Sequence, residues 1–258
     1  MGDAVLYELD GHVATITYNR PEVLNAINAD LRRDMNAAWE RFRDEPDAWV
    51  AIVTGAGRAF CAGADMRDGA GSAGTWPGSF WEIPTVNSFE SGLEIWKPTI
   101  AAVNGPCIGY GLTLAAACDF VIASDRAQFG FPEVRLGVPT IVGAIRLPAK
   151  LGWADAMELL LTGDRVDAAR AHEIGLAWRV VPHDELMTEA HALAGRLLQA
   201  APLAARATKE MAARGQKLPW TEAVRFGETM RRVAAQTDDA KEGWAAARDH
   251  RPPDWKGR

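Results

Sequence analysis

Phe60-Cys61-Ala62-Gly63-Ala64-Asp65-Met66 and Asn104-Gly105-Pro106-Cys107-Ile108-Gly109-Tyr110-Gly111 are the two stretches that decide the fold. Each follows an apolar run, Val50-Ala51-Ile52-Val53-Thr54 in the first case and Thr99-Ile100-Ala101-Ala102-Val103 in the second. Runs of that length and β-branching read as buried parallel strands, and each delivers the chain into a loop of small residues. Helix is expected after each loop. Small residues let backbone N–H groups approach a ligand closely, and N–H groups at a helix start carry partial positive charge. Two such loops can hold one anion between them, as an oxyanion hole does.

Outward from these loops, Tyr7-Glu8-Leu9 and His12-Val13-Ala14-Thr15-Ile16-Thr17-Tyr18 alternate apolar and polar residues around Asp10-Gly11, which predicts a β-hairpin. Asn28 then opens a helix whose stripe of Leu31, Met35, Ala38, Trp39 and Phe42 suits packing on a sheet. The order strand, strand, helix, strand, loop begins again after Thr99. Between Arg67 and Lys97 a glycine-rich segment carries Trp76, Phe80 and Trp81, and reads either as an apolar wall over a ligand or as a surface loop. From Trp153 onward the pattern is mostly helical, punctuated by Pro182, Pro202 and Pro219.

A chain of 258 residues is long enough for a large core, and it reads as a single domain. Its net charge of −6 argues against a nucleic-acid footprint, which concentrates Lys and Arg against phosphates. The N-terminus shows no basic segment followed by an apolar run, and there is no uninterrupted membrane-length stretch, so a cytoplasmic enzyme without a membrane partner is expected. Cys61, Cys107 and Cys118 lack metal-ligand spacing and sit among small apolar residues, as reduced thiols packed in a core do. Cys61 and Cys107 lie in the two loops, so a nucleophilic thiol is the competing reading. His12, His172, His183, His191 and His250 lie outside the loops and support neither a triad nor a metal site.

The paired loops resemble those of the crotonase superfamily, the enoyl-CoA hydratase/isomerase family. So do Asn19-Arg20-Pro21 with Leu24-Asn25-Ala26, Cys118-Asp119, Gln128-Phe129-Gly130-Phe131-Pro132-Glu133, Leu161-Thr162-Gly163-Asp164-Arg165, Gly175-Leu176 and the closing Arg251-Pro252-Pro253-Asp254-Trp255-Lys256. The resemblance covers nearly the whole chain. It implies an α/β fold, a crotonase-like ββα spiral core over residues 1–200, with a C-terminal helical segment at 201–258 that packs on the core or on a neighbouring subunit. A homotrimer or dimer of trimers is implied with it. The substrate would be an acyl-CoA thioester, with coenzyme A as part of that substrate and no prosthetic group or metal. The oxyanion donors would be the N–H groups of Ala64 and Tyr110, and the acid/base Glu133. Coenzyme A contacts would fall on Leu24, Ala26, Arg58, Ala62, Ala64, Asp65, Met66, Arg67 and Arg165. Each arginine equally suits a solvated surface role, and Asp65 and Asp119 equally suit loop bracing.

Three departures from the family pattern bear on the reaction. Tyr110 stands where glycine is frequent, and its ring either turns into the core or contacts substrate. Thr113 replaces the first of the two glutamates of family hydratases, and threonine can orient water but cannot act as a carboxylate base. Gly137-Val138-Pro139-Thr140-Ile141-Val142-Gly143-Ala144 replaces a longer glycine-rich run beside the remaining carboxylate. With Glu133 alone, double-bond isomerisation is favoured over ordinary two-glutamate hydration. A hydratase of unusual substrate range, an acyl-CoA hydrolase and a catalytically weak CoA-ester binding protein remain as alternatives.

Overall fold

The computed structural model describes residues 3–68 and 88–258. The wall expected from Trp76, Phe80 and Trp81 lies outside those residues. In chain order the strands are β1 (Val5–Asp10), β2 (Val13–Tyr18), β3 (Val50–Gly55), β4 (Thr99–Val103), β5 (Pro106–Ile108), β6 (Phe120–Ser124), β7 (Gln128–Gly130), β8 (Arg165–Asp167) and β9 (Arg179–Val181). The helices are α1 (Ala29–Asp44), α2 (Tyr110–Ala117), α3 (Val142–Arg146), α4 (Trp153–Met157), α5 (Ala168–Glu173), α6 (Leu186–Leu197), α7 (Pro202–Gly215), α8 (Trp220–Ala234) and α9 (Asp238–Arg248).

Six strands form the main sheet in the order β1-β2-β3-β4-β6-β9. The β1–β2 hairpin is antiparallel and turns at Gly11, whose φ of 53° suits a residue without a Cβ; every later pair in that sheet is parallel. β3 and β4 are the two apolar runs read from the sequence, and their alternate residues feed two separate cores because both faces are covered. Val53, Ala101 and Val103 join Leu31, Met35, Trp39 and Phe42 of α1 on one face. Val50, Ile52, Ile100 and Ala102 meet Leu186, Ala190 and Leu193 of α6 on the other. Helix α1 begins where expected, with Asn28 Oδ1 accepting the Leu31 N–H at 2.9 Å.

A second, three-stranded sheet, β5-β7-β8, positions the site. β5 runs parallel to β7, and Cys61 bridges to Cys107 of β5 in a further parallel contact. Ile27 in turn bridges to Ala64, again parallel. Four segments therefore run the same way side by side, and all end at one edge.

The C-terminal helices pack on the chain's own core through α7. Lys209 Nζ reaches Asp119 Oδ2 at 2.7 Å, and Arg214 pairs with Glu94 at 2.6 Å. Trp220 and Trp244, on α8 and α9, are 83 % and 82 % exposed. Among the described residues no helix is long and apolar enough to cross a membrane.

Candidate active site

Parallel register is what brings the two loops together. Cys61 and Cys107 face each other, with Cys61 N–H donating to Pro106 O at 3.1 Å and Ile108 N–H to Cys61 O at 2.9 Å. Three residues on from each cysteine stand Ala64 and Tyr110, so equal steps along parallel backbones deliver both to the same edge. Gly63 makes the approach possible: its φ is 95°, and a Cβ there would lie 3.0 Å from Ile108 O and 3.8 Å from Tyr110 N. Ala64 is held by its neighbours, since Gly63 O accepts from Ile27 and the Asp65 N–H donates to Ile27 O. Alternation along an extended backbone then turns the Ala64 N–H away from Ile27. Tyr110 opens α2, where an N–H has no partner within the helix. Among the described residues neither N–H has an acceptor, and these are the groups the sequence offered as oxyanion donors.

Tyr110 is unstrained. The positive φ falls on Gly109, at 57°, where the chain turns from β5 into α2. The Tyr110 ring leaves that turn toward α1, lies under the Arg32 guanidinium at 5.0 Å, and donates its hydroxyl to Glu90 Oε1 at 2.5 Å. Burial and the Glu90 carboxylate together hold the phenol well above its ordinary pKa, so it stays protonated and donates.

Glu133 arrives from the neighbouring strand. β7 ends at Gly130, whose carbonyl accepts the Gly109 N–H at 2.8 Å, and Pro132 starts a short 3₁₀ turn, Pro132–Leu136. Buried Phe131 anchors one end of that turn. At the other, Arg135 donates to Thr162 O at 2.7 Å and to Asp164 Oδ1 at 2.5 Å. The Leu161-Thr162-Gly163-Asp164 stretch thus ties down the turn that carries Glu133 through Arg135, a residue outside the motifs quoted from the sequence. The Glu133 carboxylate lies directly over Gly109, with Oε1 only 2.7 Å from where a Cβ would stand. Oε2 is buried and has no hydrogen-bond partner among the described residues. Burial raises its pKa, with its own backbone N–H pulling the other way. Thr113 sits one turn into α2, 3 % exposed, its N–H on Gly109 O. Its hydroxyl makes no hydrogen bond among the described residues.

Most of the residues expected to contact coenzyme A share one edge. Ala62 N–H donates to Leu24 O at 3.0 Å, and the 24–27 and 62–66 stretches run alongside each other, which places Leu24, Ala26, Ala62, Ala64, Asp65 and Met66 together. Met66, Arg58 and Arg67 are exposed. Arg165 is separated from this group: it stands on β8, opposite Gly130, with β5 and β7 between. The Asp65 carboxylate is occupied as a brace, accepting from Arg20 and from the Arg67 N–H, each at 3.1 Å. Two asparagines clamp the turn between β3 and the first loop. Asn25 Nδ2 donates to Ala56 O and Ala59 O, while Asn104 Nδ2 donates to Gly55 O and Gly57 O. Asn25 does so from a left-handed backbone, φ 56°, a conformation asparagine tolerates better than most side chains.

The competing chemistries fall away on geometry. All three cysteines are free and buried; burial pushes the Cys61 and Cys118 thiols up to about 12, and Cys107 well above its ordinary value, so none is a thiolate nucleophile at neutral pH. His12 stacks on Trp49 at 3.6 Å and reaches Asp47 O, and His183 meets Ser124 Oγ. Asp119 accepts from Thr99 and Lys209 at the far end of α2. A wide cleft of about 760 Å³ opens at that same far end, between residues 89–96 and α7. It does not include the oxyanion loops, and its Lys150, Lys209 and Arg214 already bond Cys118 O, Asp119 and Glu94.

This geometry agrees with comparison to known proteins. The enoyl-CoA hydratase/isomerase family profile matches residues 8–258. The chain belongs to that family. As a family member it is an acyl-CoA-processing enzyme. It is 39 % identical over 260 residues to a probable enoyl-CoA hydratase of Mycobacterium bovis, covering 99 % of each chain. It is 40 % identical over 255 residues to the carnitinyl-CoA dehydratase of Proteus mirabilis, covering 96 % of each. Among solved structures, an enoyl-CoA hydratase from Mycobacterium marinum superposes with a TM-score of 0.91 at 33 % identity, over 100 % of both chains. The fold is accordingly the crotonase fold of the enoyl-CoA hydratase/isomerase family.

Proposed function

We propose that this family member moves a proton on the enolate of an unsaturated acyl-CoA, with Glu133 as its one carboxylate acid/base, and that double-bond isomerisation is favoured over two-carboxylate hydration. Coenzyme A enters as part of the substrate, and no prosthetic group takes part. The observation that carries the reading is the Glu133 carboxylate lying on Gly109, next to the Tyr110 N–H, with that N–H and one carboxylate oxygen unpaired among the described residues. A thioester oxygen bonded to the Ala64 and Tyr110 N–H groups draws charge onto itself, and each such donor is worth about 3–4 kcal/mol to the transition state. Glu133 takes the α-proton of a 3-enoyl-CoA: the C–H pair becomes part of a dienolate and an O–H bond forms. The same proton then passes to the γ-carbon, which yields the 2-enoyl-CoA and regenerates the carboxylate. Its raised pKa brings it closer to neutrality, where a group that both accepts and returns a proton works best.

Glu133→Gln is expected to lose about 10²–10⁴ in turnover of 3-enoyl-CoA. Equal turnover by both proteins refutes the single-base mechanism. Hydration is the second reading, supported by relatives named hydratase and dehydratase. Water addition to a short 2-enoyl-CoA at ordinary rates would favour it and would show that Thr113 is no obstacle. The exposed Trp220, Val224 and Val233 of α8 support a proposal that the C-terminal helices also carry subunit contacts in a homotrimer or dimer of trimers. Light scattering coupled to size exclusion tests this, and a monomer at micromolar concentration contradicts it.

A further inference from the structure

The turn that carries Glu133 is fastened at both ends to one neighbouring stretch, residues 162–165. Ahead of the turn, β7 pairs antiparallel with β8, Gly130 opposite Arg165, and a Cβ at Gly130 would stand 2.8 Å from Asp164 O. Beyond it, the Arg135 side chain returns to the same stretch. Its guanidinium grips both sides of Gly163, donating through Nε to Thr162 O and through Nη2 to Asp164 Oδ1. Its stem lies on Gly163, where φ is 68° and a Cβ would meet Arg135 Cγ and Nε at 3.0 Å each. Gly163 closes the helix that runs from α4 through a π-helical turn at Glu158–Thr162, so Thr162 O is one of the carbonyls that a helix end leaves without an internal partner. A cation placed there meets the negative end of the helix. Leu159 and Leu160 of the same turn are buried in the core, so this platform is itself fixed from beneath.

We infer that Arg135 is a positioning residue for the reaction: by capping the 153–162 helix from the far side of the turn, it fixes where the Glu133 carboxylate stands over Gly109. This rests on the reading that Glu133 is the acid/base. Position decides the rate, because a reacting group displaced by about 1 Å loses on the order of 10²-fold. The action is mechanical rather than electrostatic. Arg135 and Asp164 are both more than half exposed, so their ion pair is screened and contributes little alone. The bond to Thr162 O and the seat on Gly163 hold the geometry. The raised Glu133 pKa comes from burial, offset by its own backbone N–H, and not from the Arg135 charge. Arg135 therefore changes the rate without changing the pH at which Glu133 titrates. The guanidinium shape is needed as well, since two donors in a rigid fork can straddle one glycine and a single ammonium cannot.

The test measures kcat, KM and the pH profile for 3-enoyl-CoA isomerisation and 2-enoyl-CoA hydration, with a thermal melt of each variant. The figures apply to whichever reaction the wild type runs, so the isomerase preference is judged separately. Arg135→Ala is expected to lose about 10- to 100-fold in kcat, with KM within about twofold and the acid limb in place. Arg135→Lys keeps one donor for Thr162 O and is expected to run about two- to tenfold below wild type. Asp164→Asn is expected to stay within about twofold. Amide exchange of the 131–138 peptide, read by mass spectrometry, is expected to run about tenfold faster in Arg135→Ala while the β4 amides keep their protection. Wild-type kcat in Arg135→Ala overturns the inference, as does a loss carried wholly by KM or a shifted acid limb. Should Arg135→Ala fail to fold, wild-type kcat in Arg135→Lys overturns it. If Glu133→Gln keeps full activity, the acid/base reading fails instead. Amide exchange then decides the tether alone, and an unchanged rate overturns it.

Discussion

Gly109→Ala is the sharpest probe of the site, because one methyl group tests both the backbone turn and the seat of Glu133. The added Cβ would stand 2.7 Å from Glu133 Oε1, while ordinary contact begins near 3.4 Å, so the carboxylate must retreat by about 0.7 Å. Misplacing a reacting group by about 1 Å costs on the order of 10²-fold, which predicts a fall in kcat of roughly 30- to 100-fold. The left-handed φ of 57° adds backbone strain of about 1–3 kcal/mol. For a chain of this size that lowers Tm by roughly 2–4 °C for each kcal/mol. The assay is kcat for 3-enoyl-CoA isomerisation with a parallel thermal melt. The double variant Gly109→Ala/Glu133→Gln separates the two effects: if the methyl acts by displacing the carboxylate, it slows Glu133→Gln no further. Wild-type kcat in Gly109→Ala, or full additivity in the double variant, refutes the reasoning.

The raised Glu133 pKa places the acid limb of kcat/KM above the ordinary glutamate value of about 4.3, and the limb should vanish in Glu133→Gln. The folded carboxyl keeps its proton to a higher pH than the unfolded one, so stability falls as pH rises between those two values, and Glu133→Gln should melt above wild type at pH 7. Arg20→Ala leaves the largely buried Asp65 without its cation and should cost about 3 kcal/mol in a denaturant titration, with a drop in kcat as the Ala64 loop loosens. Asn25→Ala removes bonds to Ala56 O and Ala59 O worth about 1 kcal/mol each, and should destabilise without altering the pH profile. Mass spectrometry after iodoacetamide treatment of the folded enzyme at pH 8 should show Cys61, Cys107 and Cys118 unmodified, with all three labelled on unfolding.

Much of the fold was legible because periodicity and turn chemistry are local. The stripe from Leu31 to Phe42 gave α1, Asn28 gave its start, and the β-branched runs gave β3 and β4. Ala64, Tyr110 and Glu133 were legible only through family resemblance, since nothing in their spacing states that positions 64, 110 and 133 meet. Glu90 and Arg135 belong to none of the motifs read from the sequence, and Asn25 enters there only within Leu24-Asn25-Ala26, with no partner implied. Each acts on a partner at least 20 residues away, Glu90 on Tyr110, Arg135 on Thr162 and Asn25 on Ala56. A charged or amide side chain in a loop carries no local sign of such a partner.

The sequence by itself determined the family resemblance, the β1–β2 hairpin, β3, β4 and α1, and through that resemblance the expectation that Thr113 stands where family hydratases carry a carboxylate, because these depend on residue identity and order. Only the tertiary structure decided that Cys61 and Cys107 pair in register, that Ala64 and Tyr110 therefore reach one edge, and that Glu133 rests on Gly109. It also turned the Tyr110 ring to Glu90 and set Arg165 apart from the rest of the expected coenzyme A contacts. The physical reason is that register and side-chain burial arise between segments distant in the chain, where hydrogen bonds across parallel backbones fix distances that no single segment encodes.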